Sequence, residues 1–170
     1  MHPSVTGSDT TATALRVTML YVITSPQIYF KLQAEIDNGI RENRISSPVT
    51  DAEARNLPFL EACIKEGFRI WPPITGIMPR MSGREGAICG VRVPPGTNIG
   101  WSVRAVLRNK EVFGRDAELY WPDRWIGSDE EKVQAMDNTV NLVFSQGRWG
   151  CLGKPINLLE LNKVFVEVSS

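Results

Sequence analysis

The amino-acid sequence predicts a mainly α-helical protein with a small β-hairpin region. Two observations lead there. Apolar residues recur at helical spacing between capping residues and prolines over residues 1–73, and again after residue 154. Between them, residues 74–143 hold short apolar runs cut by Pro and Gly, the mark of turns and hairpins. A glycine-rich cysteine loop and a closing helix fill residues 144–170.

Each element follows from local chemistry. Ser8 to Thr11 are cap-type residues ahead of an apolar run that predicts a helix ending near Ser25. Ser25 caps a second helix with Pro26 at its first position. Its stripe is Ile28, Leu32, Ile36 and Ile40, and Gly39 and Asn43 help to end it. Thr50 and Glu53 form a capping-box pattern for a short helix that stops before Pro58. Leu60, Cys63, Ile64, Gly67, Phe68 and Trp71 then follow one helical face until Pro72-Pro73 terminates it.

That helix carries Glu66 and Arg69 at i, i+3, roughly opposite the apolar stripe. Two readings stand: a solvated surface pair, or a buried pair completing a network with an arginine elsewhere. Further on, Ala87 to Val93 reads as one strand, Pro94-Pro95-Gly96-Thr97 as a turn, and Asn98 to Val103 as its partner. Arg104 to Gly114 is mixed, Tyr120 to Trp125 irregular, and Asp129 to Glu131 a solvated acidic loop.

Composition narrows the chemistry. A chain of 170 residues, 42% hydrophobic and 22% charged, is long enough for one domain burying about 70% of its extended surface. With 19 basic against 19 acidic residues, nucleic-acid binding by bulk charge is disfavoured. No apolar run has the roughly 18 residues of a membrane span, and no secretory signal opens the sequence. His2 is the single histidine, which removes triads, Cys-His pairs and His-rich zinc sites. Cys63, Cys89 and Cys151 lack CxxC spacing, and a reducing compartment fits them.

Residues 144–153 carry the most information. Cys151 stands just before the Lys154-Pro155 start of a helix with apolar residues at Leu158, Leu161, Phe165 and Val168. Helix N-H groups and the dipole favour a thiolate there, and Gly147, Gly150 and Gly153 let backbone fold around the sulfur. Such a thiolate suits a metal. A buried structural cysteine is the competing reading, and a phosphate loop fits less well because Pro155 follows Lys154.

Taken together, these segments resemble the C-terminal portion of the cytochrome P450 fold, a family of haem-thiolate monooxygenases. The family pattern FxxGxRxCxG matches at Phe144, Gly147, Cys151 and Gly153. ExxR matches at Glu66 and Arg69, and the Pro-acid-Arg-aromatic segment at Pro122, Asp123, Arg124 and Trp125. The oxygen-side pattern matches from Thr6 to Thr11. The wording GRWGCLGKP is similar to that of fungal pisatin demethylase-like enzymes.

The resemblance implies that Cys151 is the axial ligand of haem b, its sulfur donating electrons that favour O-O cleavage. Phe144 would shield the sulfur, Gly147 and Gly153 would shape the loop, and Arg80 and Arg148 would meet haem propionates. Thr10, supported by Asp9, would deliver protons to dioxygen. Glu66, Arg69 and Arg124 would form a buried structural triad. Two positions depart from the pattern: Trp149 replaces the arginine two residues before the cysteine, and Thr6 replaces a small residue. Arg148 would reach a propionate in place of that arginine, or Trp149 would donate its indole N-H.

A small organic substrate would be oxidised with electrons from NADPH, through NADPH-cytochrome P450 reductase docking at Arg148, Lys154 and Lys163, at the endoplasmic reticulum membrane. The resemblance further implies about the last third of an enzyme, without membrane anchor or most substrate-recognition segments. Little independent turnover is expected of such a part. A non-catalytic interaction remnant without productive haem binding is the alternative.

Overall fold

The computed structural model describes the backbone of residues 3–169 and the side chains of residues 7–169. His2 and the Thr6 side chain lie outside the described residues. The architecture is mainly α, with two two-stranded antiparallel pairs.

Helix α1 spans Pro3–Ile23 and buries Ala14, Thr18 and Val22, an i, i+4, i+8 stripe. Ser8 to Thr11 are therefore interior to a helix that starts earlier, not its caps. The helical propensity of the run after Thr11 extends backward through residues that on their own read as a start signal. Helix α2, Pro26–Arg41, follows with Pro26 in its first turn, though the Ser25 side chain makes no capping bond. Its buried residues are Leu32, Ile36 and Gly39, whereas Ile40 is exposed. Gly39 does not end the helix. It admits Ile45, whose Cδ1 would lie 2.5 Å from an added Cβ. Asn43, at φ 55°, turns the chain instead.

Helix α3, Asp51–Ala54, forms with the capping box in place: Thr50 Oγ1 accepts from Glu53 N, and Glu53 accepts from Thr50 N at 2.8 Å. The bond from Thr50 N, with others from the Ser46 and Thr50 hydroxyls, holds the Glu53 carboxyl down at about 2.

Helix α4, Pro58–Ile70, is the centre of the molecule, packing on α1, α2 and the 122–125 turn. Its N-terminus is capped from another element: Glu35 of α2 accepts from Phe59 N at 2.8 Å and Leu60 N at 2.9 Å. Burial raises the Glu35 carboxyl, and these two amide bonds work against that rise. From Ala62 to Ile70 only Lys65 is not buried, so α4 has almost no solvated face there. Gly67 lets α1 approach: an added Cβ would stand 2.0 Å from Thr18 Oγ1.

The hairpin region departs from its expected pairing. Strands β1, Arg80–Met81, and β4, Asn98–Ile99, pair with each other; β2, Gly86–Ile88, pairs with β3, Val91–Val93. The expected single strand from Ala87 to Val93 thus folds back at Cys89-Gly90, both at positive φ (49° and 78°). A two-residue turn of that kind matches the twist of the strands it joins, and the apolar residues around it hide it from a periodicity reading. The Pro94–Thr97 turn does form, with Gly96 at φ 82° and Thr97 N donating to Pro94 O.

Two short helices occupy the mixed stretch, α5 (Val103–Val106) and α6 (Lys110–Phe113), and a 3-10 turn covers Pro122–Trp125. The acidic run is no loop: Asp129 caps α7, Glu130–Asn141, by accepting from Lys132 N, and Glu130 and Glu131 sit in its first turn, where the dipole favours them. Helix α8, Lys154–Ser169, closes the chain with Leu161 and Phe165 buried and Val168 exposed.

Candidate functional site

The site begins with the bend that presents Cys151. Phe144 ends one 3-10 turn, Gly147–Trp149 makes another, and the chain between them passes through Ser145 at φ 59° and Gly147 at φ 61°. Cys151 N donates to Phe144 O at 2.8 Å, closing the loop three residues before the start of α8. The thiol side chain is exposed. Around it, Leu152 (96% exposed) and Ile156 (63%) leave apolar surface open. A Cβ on Gly153 would sit 3.8 Å from the Cys151 sulfur, an ordinary contact distance.

Beneath the loop Phe144 packs edge-on against Phe68 of α4, with ring centroids 5.1 Å apart. Lys154 Nζ lies 5.4 Å from the Phe144 centroid and donates to Asn141 Oδ1 at 2.7 Å. Phe144 and Lys154 also line a cavity of about 310 Å³ between α4, α7 and α8; Cys151 does not line it but opens outward.

Arg80 reaches the loop from β1. Its Nη2 donates to Ser145 Oγ at 3.2 Å, and its guanidinium lies 5.1 Å from the Trp149 ring centroid. Arg148 is exposed and lies 5.0 Å from the same centroid. Asp9 is exposed and Thr10 half-buried on α1. The neighbouring Thr11 makes the link to α8, its hydroxyl accepting from Asn157 Nδ2 at 2.9 Å. No local pattern marks Asn157, because its partner is far away in the chain.

The pair on α4 is buried. Glu66 and Arg69 are both 0% exposed, and Arg124 donates through Nε to Glu66 Oε1 at 2.9 Å. Glu66 further accepts from Trp121 N at 2.8 Å and Trp125 Nε1 at 3.0 Å. Arg69 Nη1 serves the carbonyls of Leu107 and Ala117, and Nη2 that of Leu119. The solvated-pair reading falls away, and the network ties α4 to residues 107–125.

The donor set suits a flat apolar cofactor with an acidic edge. No cluster of three His, Cys, Asp or Glu able to hold a metal ion occurs among the described residues. A porphyrin, however, brings four nitrogens to its iron and needs one protein ligand, which an exposed thiol beside apolar side chains and two guanidiniums can supply. Among the described residues no helix is long and apolar enough to cross a membrane.

Comparison with known proteins bears on the same residues. The family profile described as Cytochrome P450 matches residues 4–168. Cytochrome P450 monooxygenase ABA1 of Pyricularia oryzae is 43% identical over 166 residues, covering 96% of this chain and 32% of that protein. Cytochrome P450 monooxygenase abl1 of Leptosphaeria maculans is 41% identical over 162 residues, covering 95% of this chain and 28% of its own length. A Botryotinia fuckeliana protein named cytochrome P450 monooxygenase aba1 is 39% identical over 167 residues, with 96% and 32% coverage. The chain spans about a third of the length of these relatives. With the profile matched from residue 4 in α1 to residue 168 in the closing helix, the chain belongs to the cytochrome P450 family.

Proposed function

We propose that the chain is the haem-binding portion of a monooxygenase that places one oxygen atom from dioxygen into a small organic substrate, with Cys151 as the residue whose thiolate would hold haem b. The observation that carries this reading is the exposed Cys151 thiol, held on a loop closed by the Cys151–Phe144 backbone bond and flanked by open apolar surface. Membership of a haem-protein family supports it. When bound, the haem supplies the redox chemistry of dioxygen activation, which a thiolate ligand assists.

The chain's own groups have distinct tasks in this reading. Phe144 excludes water from the inner side of the cysteine loop, while Leu152 and Ile156 offer an apolar wall. Arg80 and Arg148 offer guanidinium forks to carboxylates. Thr10, with Asp9 beside it, holds a water at its hydroxyl for proton delivery. Gly147, at φ 61°, permits the bend, Gly153 would let the following helix come close to the porphyrin, and Glu66, Arg69 and Arg124 keep the frame rigid. Electrons come from NADPH through NADPH-cytochrome P450 reductase at the endoplasmic reticulum membrane, with Arg148, Lys154 and Lys163 as docking cations.

The test is spectroscopic. The full chain, mixed with hemin, reduced and exposed to carbon monoxide, is expected to show the red-shifted Soret band of thiolate ligation, and Cys151→Ala to abolish it. A shifted band surviving in the alanine variant removes Cys151 from the assignment. Absence of the band in the wild-type chain favours the non-catalytic remnant instead.

A further inference from the structure

Arg80 and Arg148 converge on one indole, and no carboxylate among the described residues joins them. Both guanidinium carbons lie about 5 Å from the Trp149 ring centroid. Arg80 donates to neutral groups, Ser145 Oγ at 3.2 Å and Pro79 O at 3.1 Å. Neither arginine is in an ion pair among the described residues, whereas Arg69, Arg108 and Arg124 each meet a carboxylate. Two cations that share one ring stand at most about 10 Å apart and repel each other. A ring face compensates part of that repulsion through its quadrupole but brings no negative charge to either guanidinium, and the donors of Arg80 meet only neutral oxygens, Met78 O at 3.4 Å among them. Trp149 is 56% exposed in the 3-10 turn that precedes the exposed Cys151, so the ring stands open to solvent on the cysteine loop.

From this arrangement we propose that Trp149 is a positioning residue whose ring face, rather than its N-H, aligns Arg80 and Arg148 as a paired clamp for the carboxylates of the bound cofactor. The proposal rests on the haem-thiolate reading for the identity of that cofactor. The juxtaposition of the two guanidiniums is independent of it. Position 149 then does not contact the anion itself. It sets where two residues distant in the chain present their donors, and a flat aromatic ring is the part of it that matters.

Two measurements on the full chain test the clamp. In side-chain N-H spectra of arginine-labelled protein, ring currents are expected to displace the Nε-H signals of both Arg80 and Arg148, and Trp149→Leu to return both toward ordinary positions. Succinate, used as a plain dicarboxylate probe, should move both signals along one binding curve. In the second measurement hemin is compared with its dimethyl ester, in which the carboxylates are masked. The wild-type chain should prefer the free acid by about tenfold, Trp149→Leu should reduce that preference about fivefold, and Trp149→Phe should keep most of it. The clamp is overturned if Trp149→Leu leaves the arginine signals and the ester preference unchanged, if succinate moves only one arginine, or if Trp149→Phe loses as much as Trp149→Leu. Hemin failing to bind while succinate moves both signals sinks the haem reading and keeps the clamp. Thiolate-ligated hemin with no ester preference does the reverse.

Discussion

Arg69 meets the Glu66 carboxylate side-on, Nε to Oε2 at 2.9 Å and Nη2 to Oε1 at 2.7 Å, with neither side chain exposed. Charges in that position are tolerable only because every direction is answered. Arg124, Trp121 N and Trp125 Nε1 complete the carboxylate, and three backbone carbonyls complete the guanidinium. Because those carbonyls belong to residues 107, 117 and 119, the pair holds otherwise irregular chain against α4.

Removing either partner leaves the other charge buried and unanswered. Glu66→Gln and Arg69→Lys are each expected to cost about 3 to 5 kcal/mol, the lysine because it lacks the planar fork that reaches Leu107, Ala117 and Leu119. Urea denaturation followed by circular dichroism measures this. A loss under about 1 kcal/mol for both would show that the network is dispensable.

The three thiols should separate by reactivity. Burial pushes the Cys63 thiol up to about 12, while Cys89 and Cys151 are exposed. A disulfide reagent at pH 8 is expected to modify Cys89 and Cys151 in the native chain and Cys63 only after denaturant is added. Linkage gives the accompanying pH effect. The folded chain keeps the Cys63 proton that the unfolded chain releases near 9, so stability from this group is full below 9 and is lost as pH rises toward 12. Rapid modification of Cys63 in native protein would contradict its burial.

What the sequence discloses divides by distance along the chain. Thr50 and Glu53 announce their capping box because both halves lie within one turn, and the cysteine loop is legible because Phe144, Gly147 and Cys151 are near neighbours. Glu66 and Arg69 invite a solvated reading because Arg124 and Trp125, which bury them, come from a distant segment. The Cys89-Gly90 turn is masked by apolar neighbours on both sides, so a continuous strand is the natural expectation. Asp129 shows the opposite ambiguity: an acid beside two others reads as solvent-facing until the helix it caps is seen. The Arg80–Trp149 approach has no local signal, since it depends on β1 pairing with β4 beside the loop.

Helix α3 should respond to both substitution and acid. Thr50→Ala removes the acceptor for Glu53 N and is expected to cost about 1 kcal/mol. Glu53 contributes stability that is present above its unfolded value of 4.5 and is lost as pH falls through the folded value of about 2. Acid denaturation curves of the wild type and Glu53→Gln should therefore converge below pH 2 and diverge above 4.5. Parallel curves across that range would remove Glu53 from the cap.

Gly67 and Thr18 give the sharpest test of how α1 sits on α4. An added Cβ at 67 would stand 2.0 Å from Thr18 Oγ1, 3.0 Å from Thr18 Cβ and 3.3 Å from Thr18 Cγ2. Thr18 is itself buried, so it has no open space to rotate into. Gly67→Ala alone is expected to cost about 1 to 3 kcal/mol, even though alanine is the better helix former. Thr18→Ala removes Oγ1 and Cγ2, the first and third nearest obstructing atoms, and should make the second substitution cheaper, because the remaining Cβ contact at 3.0 Å asks only a small shift. The double-mutant cycle is expected to show a coupling of about 1 kcal/mol in the compensating direction. Strict additivity would mean that the helices re-register instead of touching here, and Thr11 would then lose its hold on Asn157 of α8 as well.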